Sequence, residues 1–245
     1  MLIALLPLAS PTSYAQIGGR GFPGASGPGL GGAMSRFFGD HTAFTAALNM
    51  GTKTEKSGVM LMPGKISYLD GQSRFEMDLS KVEGGPMPPG AGEQIKAMGM
   101  HEMVMISRPD KKLTYIVYPG LQSYAENPLR EEVSTEAAKA FKVETTKLGE
   151  ETMAGQACVK NRMVVTDDQG KTHEATTWNA TALKGFPVVI ETTQAGSTVT
   201  LLFSNVKLDK PAASAFEPPQ DFKKYADMQT MMREVMMKRL SGETP

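Results

Sequence analysis

The chain has 245 residues, with 26 Lys and Arg against 26 Asp and Glu, one Cys and three His. This length suits one or two domains. With a net charge of zero, the chain lacks the excess of basic residues by which a nucleic-acid-binding protein releases counterions from phosphates. Composition therefore argues against nucleic-acid binding. A single Cys excludes an internal disulfide framework and any zinc or iron–sulfur site built from several cysteines.

Residues 1–15 have the pattern of a secretory signal peptide. Residues 2–9 are apolar, and the small residues Ser13 and Ala15 suit cleavage before Gln16. The apolar run is too short to span a bilayer, and a frayed apolar N-terminus is the alternative interpretation. The residue directly after the cleavage site is Gln16 rather than a Cys that could carry a lipid anchor, and no later apolar run reaches the roughly 18 residues of a membrane span. We therefore expect a soluble protein that is periplasmic or secreted.

Residues 16–37 are predicted to form a flexible linker. Eight Gly and two Pro fall within residues 18–32, a composition typical of flexible segments. Residues 27–32 match the dinucleotide-binding pattern G-x-G-x-x-G. Because no strand precedes the match and no strand–helix–strand unit surrounds it, we reject a nucleotide site.

Residues 38–224 carry the alternating apolar and polar pattern of β-strands. The run at 59–62 is expected to end at Pro63-Gly64, and residues 103–106 are apolar on both faces. About ten strands at regular spacing predict one large antiparallel sheet, strongly curved or closed. The predicted strands are residues 44–50, 59–62, 75–79, 103–106, 113–118, 141–148, 157–166, 172–180, 188–193 and 198–206.

Three segments have helical rather than strand periodicity. Short helices are predicted at 92–98 and 131–140, and the clearest helix lies within 225–241. Its apolar side chains recur at the three- and four-residue spacing that places them on one face. The stripe comprises Met228, Met231, Met232, Val235, Met236 and Leu240.

No catalytic motif is present in the sequence. The patterns G-x-S-x-G, H-E-x-x-H, Walker A and C-x-x-C are all missing. His41, His101 and His173 are far apart in the sequence, and no nearby residue pairs them with a nucleophile. We therefore expect a non-enzymatic protein without a cofactor.

Methionine is unusually frequent, since its 18 copies outnumber the 10 Phe, six Tyr and one Trp together. One interpretation is a Cu(I) site, because thioether and imidazole groups are soft ligands that suit this ion. In a strand, His101, Met103 and Met105 would share one face. The residues of this alternative site are Met98, Met100, His101, Met103 and Met105.

A second interpretation is an apolar cavity lined by methionines of the strands and of the last helix. Flexible thioether side chains can repack around acyl chains of varied shape. An ordinary core that uses Met in place of Leu fits the composition equally well.

Several short motifs resemble the periplasmic lipoprotein-carrier (LolA/LolB-like) superfamily. They are also similar to a bacterial family of unknown function with a "W…L…GFP" segment and a Met-rich tail. The resemblance covers roughly residues 40–226. Its motifs are Ile106 to Tyr115, Pro119 to Tyr124, Thr177-Trp178-Asn179, Leu183-Lys184-Gly185-Phe186-Pro187, Phe203-Ser204-Asn205-Val206 and Phe216-Glu217-Pro218-Pro219.

The resemblance implies a mainly β fold, in which a curved antiparallel sheet forms a half-barrel with a few helices over its apolar mouth. Carriers of this kind hold acyl chains in that cavity, so lipid or a lipoprotein acyl chain is the expected partner. The chain departs from the pattern in its Gly-rich linker and its long Met-rich C-terminal helix. The residues expected in the cavity or its lid are Met77, Met103, Met105, Trp178, Met228, Met231, Met232, Val235 and Met236.

The C-terminal helix is open to three interpretations. It can act as a lid that opens over an apolar face, as a permanent cap on the core, or as a helix that makes transient contact with a membrane surface. A structural or interaction module with a filled core is the remaining alternative to a carrier. The sequence does not predict an oligomeric state.

Overall fold

The computed structural model describes residues 33–54, 58–85, 88, 90–129, 141–167, 169–194 and 196–241. The predicted signal peptide, most of the predicted linker and the predicted helix at 131–140 lie outside these residues. The predicted short helix at 92–98 is confirmed and spans Ala91–Ala97.

The described residues contain thirteen strands and three α-helices, numbered here in chain order. The strands are β1 Ala43–Thr54, β2 Gly58–Leu69, β3 Gln72–Asp78, β4 Glu83–Gly84, β5 Glu102–Arg108, β6 Leu113–Tyr118, β7 Ser123–Pro128, β8 Lys142–Met153, β9 Gln156–Thr166, β10 Thr172–Ala180, β11 Phe186–Gln194, β12 Ser197–Lys207 and β13 Lys223–Tyr225. The helices are α1 Ala33–Arg36, α2 Ala91–Ala97 and α3 Met228–Leu240.

All these strands belong to one sheet with the order β13-β7-β6-β5-β3-β2-β1-β12-β11-β10-β9-β8, and the short β4 pairs with β2. Neighbouring strands are antiparallel except β13 and β7, which are parallel. Within the described residues β13 and β8 do not pair with each other, so the sheet is not closed into a barrel. The predicted mainly β fold with an incomplete barrel is confirmed.

The sheet is strongly curved, as aromatic contacts on its inner face demonstrate. Phe44 of β1 and Phe186 of β11 are separated by β12, so in a flat sheet they would lie about 10 Å apart. Their ring centroids are 4.9 Å apart. Phe38 contacts both Tyr68 and Phe186, at 5.7 and 5.9 Å, although three strand intervals separate those two residues. The inner side chains therefore converge on a common core.

Alternating burial along the strands explains how the sequence produces this core. In β1, Phe44, Ala46, Leu48 and Met50 face inward, while the residues between them are more exposed. This two-residue period is the one expected for a strand with one covered face. β11 differs, because residues 186–190 are buried throughout and both of its faces are covered.

β2 is longer than the sequence indicated, because it continues through Pro63 and Gly64. Pairing with β3 starts only at Gly64, so one side of the Pro63 backbone requires no donor there. Gly64 has no space for a side chain, since a Cβ atom would lie 2.5 Å from the carbonyl oxygen of Glu76. The Pro-Gly pair thus marks a close strand approach rather than a strand end.

The two ends of the domain also differ from the predicted boundaries. Residues 33–37 of the predicted linker, 16–37, are part of the folded domain, because α1 forms at Ala33–Arg36 and Phe37 is 1% exposed in the core. The predicted helix over 225–241 begins at Met228, because residues 223–225 pair with β7. Burial of the Phe37 side chain draws the end of the Gly-rich segment into the domain. Pairing of Tyr225 with β7 keeps this residue in a strand although the helical pattern includes it.

A second, smaller core lies on the outer face of β5 and β6. Val104, Ile106 and Val117 pack there against Phe216, which belongs to a turn of 3-10 helix at Ala213–Phe216. This turn covers the outer face and explains why residues 103–106 are apolar on both sides.

An ion-pair network anchors the turn to the sheet. Arg108 is buried and donates to both carboxylate oxygens of Asp110, at 2.9 and 2.7 Å. It also donates to the carbonyl of Phe216 at 3.2 Å and forms an ion pair with Glu217. Lys111 adds hydrogen bonds of 2.9 Å to both oxygens of Glu217.

The network lowers the pKa of both carboxyl groups. Hydrogen bonds from Arg108 lower the pKa of Asp110 against the opposing effect of burial. For Glu217, burial raises the pKa, but hydrogen bonds from Lys111 and Arg108 outweigh it, so the net pKa is lowered. A carboxyl group with a lowered pKa in the folded state stabilises the fold above its ordinary pKa. That contribution is lost as the pH falls through the lowered value.

Replacing Arg108 with Met should therefore lower the free energy of unfolding by about 1.5–3 kcal/mol at pH 7, the range for hydrogen bonds to charged groups. The difference from the unaltered protein should shrink as the pH falls from about 4, the ordinary carboxyl pKa, through the lowered values. Urea denaturation at pH 7 and pH 3 measures both effects. The control is Arg162→Met, which removes an exposed pair with Glu174. Equal stability of the two variants would contradict this role for the network.

Candidate hydrophobic-ligand site

Helix α3 covers one part of the inner face. Met231 is fully buried and Val235 is 7% exposed, while Met228 and Met232 are half-buried against the same core. The helix packs on β7 and β13, near the buried Ala125. Among the stripe residues whose side chains are described, these four pack in the core.

Asp227 fixes the start of this helix. Its carboxylate accepts hydrogen bonds from the backbone N–H of Thr230 at 2.7 Å and from the Thr230 hydroxyl at 2.9 Å. This is the N-cap arrangement that satisfies a free backbone donor in the first turn. The same hydrogen bonds lower the pKa of Asp227.

The predicted stripe is only partly buried, since Met236 is 66% exposed and the neighbouring Met237 is 63% exposed. Met231 and Val235 are four residues apart and lie on the inward face. Met236 is one residue further round the helix, about 100° away, and faces solvent. The stripe thus divides into an attached part and an exposed part.

Methionines of four strands form a row across the inner face. Met50 lies directly opposite Met62, and Met77 lies opposite Met103. All four are 4–5% exposed. Met105 is half-buried and lies opposite Phe75. The sequence identified Met77, Met103 and Met105 as candidates but missed Met50 and Met62, although the period-two pattern placed Met50 on the inner face.

Trp178 lies on β10 and is 7% exposed. Its indole N–H donates to Glu151 of β8, which lowers the pKa of that carboxyl group. The ammonium group of Lys160 lies 4.8 Å from the centre of its ring. Trp178 therefore ties three neighbouring strands together through polar contacts.

Aromatic side chains fill another part of the inner face. Phe37 and Phe38, which follow α1, are each 1% exposed. Phe38 contacts Phe44 at 4.8 Å and Phe203 at 5.7 Å, measured between ring centroids. The protein's own side chains thus occupy this region, and we call Phe37 and Phe38 the aromatic plug.

An open pocket of about 240 Å³ lies beside the plug, where the turn after α1 meets β8, β9 and β10. Phe37, Phe38 and Met163 form its apolar floor, and polar and charged side chains surround its opening. A second open pocket of about 300 Å³ lies along the Glu150–Thr152 part of β8 and next to Cys158.

The residues of the alternative copper site lie within 98–105, directly after α2. Met98 and Met100 are half-buried, and Met100 packs against the main core. The Nδ1 atom of His101 is buried and has no hydrogen-bond partner among the described residues. Met103 and Met105 follow on β5, on the same face as each other. Within the described ranges no group of three His, Cys, Asp or Glu residues could hold a metal.

Comparisons with known proteins give matches of structure only. No family model matches the chain, and no curated protein matches its sequence. One similar structure is a LolA superfamily protein from Nitrosomonas europaea, with 8% identity, coverage of 74% of this chain and 93% of that chain, and a TM-score of 0.38. The lipoprotein LppX of Mycobacterium tuberculosis has 11% identity, coverages of 73% and 94%, and a TM-score of 0.41.

A third similar structure is a DUF1329 family protein from Desulfovibrio piger, with 9% identity, coverages of 75% and 93%, and a TM-score of 0.34. In the described part of the chain, no helix has the length and apolar character needed to span a membrane.

The burial pattern of α3 predicts that Met231→Asp detaches this helix without unfolding the sheet. A carboxylate is strongly disfavoured at a fully buried apolar position, so the docked state loses stability. Hydrogen exchange should show loss of protection in α3 while the amides of β1 and β2 stay protected. Met236→Asp is the matched control and should leave α3 protected. Loss of protection throughout the sheet, or no change in α3, would contradict this prediction.

Proposed function

We propose that this protein binds a hydrophobic ligand, a lipid or the acyl chain of a lipoprotein, against the inner face of its curved sheet, in the periplasm or outside the cell. The observation that carries the proposal is that helix α3, rather than a second sheet, covers part of an apolar concave face. A helix that docks through few well-buried side chains can move away while the sheet stays folded. We expect the role to be non-enzymatic.

The attachment of α3 is weak enough to be reversible. Met231 and Val235 are its well-buried side chains among those described, and complete burial of such a side chain contributes about 1.5–3 kcal/mol. Detaching both therefore costs roughly 3–6 kcal/mol. The aromatic plug is held more firmly, because Phe38 makes ring contacts with four other aromatic residues. Helix α3 is the better candidate for a lid.

Ligand binding can compensate for the cost of opening. Each methylene group transferred from water to an apolar surface contributes about 0.8 kcal/mol, so about eight methylenes offset the upper end of the cost of detaching Met231 and Val235. The methionine row supplies flexible and polarisable side chains that adapt to the shape of an acyl chain. We therefore expect the inner face to bind long acyl chains more tightly than short ones.

Chain-length dependence tests this function. We expect delipidated protein to take up fatty acids of 16 carbons in a one-to-one complex, and to leave those of six carbons unbound, as measured by native mass spectrometry. Met231→Asp should accelerate uptake because its lid is weakened, whereas Met236→Asp should take up ligand at the unaltered rate. Met231→Leu conserves volume and typically costs less than about 1.5 kcal/mol, so it should also bind. Absence of uptake by all four proteins would refute the proposed function.

A second candidate function is binding of Cu(I), and the buried, unpartnered Nδ1 atom of His101 favours it. Met100 and Met103 are close to this histidine in sequence and provide the thioether ligands that Cu(I) accepts. Hydrogen bonding cannot explain the burial of this nitrogen within the described residues, whereas a metal ion would.

Copper binding is tested by titrating the protein with Cu(I) in competition with a chromophoric chelator. If this function is correct, one Cu(I) binds per chain and His101→Gln lowers its affinity at least tenfold. His173→Gln, on β10, is the control and should bind copper like the unaltered protein. Equal affinity of the two variants would eliminate the His101 site.

A further inference from the structure

We propose that the pocket beside the aromatic plug binds the head group of a zwitterionic phospholipid, one that carries a phosphate and a primary ammonium. The inference rests on the proposed function and specifies its ligand class. Asp40 and Lys184 line the opening of this pocket from two different segments of the chain. Among the described residues, neither side chain takes part in an ion pair.

The two opposite charges determine which head groups fit. A phosphate can approach Lys184 while an ammonium approaches Asp40, so a ligand carrying both charges satisfies both residues. A head group with an anion alone leaves Asp40 unpaired and is repelled by it at short range. The same argument applies to a purely cationic ligand and Lys184. Discrimination among head groups therefore depends on Asp40 as much as on Lys184.

The structure holds Lys184 at this position through hydrogen bonds of the turn that contains it. The Gly185 backbone N–H donates to the carbonyl of Ala180 at 3.0 Å, and the side-chain amide of Asn179 donates to the carbonyl of Gly185 at 2.8 Å. These bonds fix the backbone of the turn, so ligand binding orders the exposed Lys184 side chain but not the turn itself.

Neutral polar groups extend the pocket wall below the charges. The side-chain oxygen of Asn179 accepts from the Asn161 amide at 3.0 Å and from the Thr177 hydroxyl at 2.7 Å. The side-chain oxygen of Asn161 has no partner within the described ranges, so it is an acceptor available to an ammonium group.

The size of the pocket separates head group from acyl chains. Its volume of about 240 Å³ is below the roughly 300–1,000 Å³ of pockets that enclose a drug-sized molecule. It can hold a small head group but not a whole lipid. Its floor is formed by Phe37 and Phe38, which are also part of the main core. Because the aromatic plug closes the floor, acyl chains attached to a bound head group would lie outside this pocket.

The test is a competition between phosphatidylethanolamine and phosphatidylglycerol with identical acyl chains, offered as mixed vesicles to the delipidated full chain. Native mass spectrometry measures the ratio of the two bound lipids. We expect a preference for phosphatidylethanolamine of about two- to fivefold, the range for exposed ion pairs. Asp40→Asn should abolish the preference, and Lys184→Gln should weaken binding of both lipids. The preference should also decline at high salt.

Asp209→Asn and Lys210→Gln are matched controls, because both residues are exposed and neither lines the pocket. They should keep the preference of the unaltered protein. Uptake of both lipids without preference, or equal behaviour of the pocket and control variants, would overturn the head-group inference and leave the proposed function intact. Uptake of neither lipid would overturn both.

Discussion

The central constraint on this protein is a curved sheet that does not close. Closure would satisfy both sheet edges and seal the interior, as it does in a complete barrel. Here β13 and β8 remain unpaired with each other among the described strands, and the inner face is apolar from β5 to β11. An apolar face of this extent must be kept from water. The helices and turns of the domain follow from that requirement.

Two different covers satisfy the requirement, and they differ in chemistry. At one part of the inner face the aromatic plug, Phe37 and Phe38, interlocks with rings from four strands. At another part α3 is docked through Met231 and Val235, which belong to the same core as the strand methionines. Aromatic rings in fixed mutual geometry favour one arrangement, whereas thioethers tolerate several. The difference explains why we assign movement to α3.

The outer face contributes to this arrangement through the segment that leads to α3. The turn at Ala213–Phe216 covers Ile106 and is tied to the sheet by Arg108. Residues 223–225 then pair with β7, and Asp227 caps the helix. The point at which α3 begins is thus held by contacts that do not involve its own buried side chains. A helix with a fixed start and weakly docked body can detach and return to the same position.

The sequence by itself determined the class of fold, because the period-two alternation of apolar residues and the turn residues are local properties of the chain. It also named Met77, Met103 and the stripe of α3 as candidates for an apolar cavity or its lid, which stays a prediction. Only the tertiary structure decided that Phe37 belongs to the core, that β2 continues through Pro63-Gly64, and that Met236 faces solvent, since these depend on which surfaces meet. The pairing of Met50 with Met62 and the approach of Asp40 and Lys184 to one pocket were likewise settled by folding. Residues distant in the chain become neighbours through strand order, which no local pattern encodes.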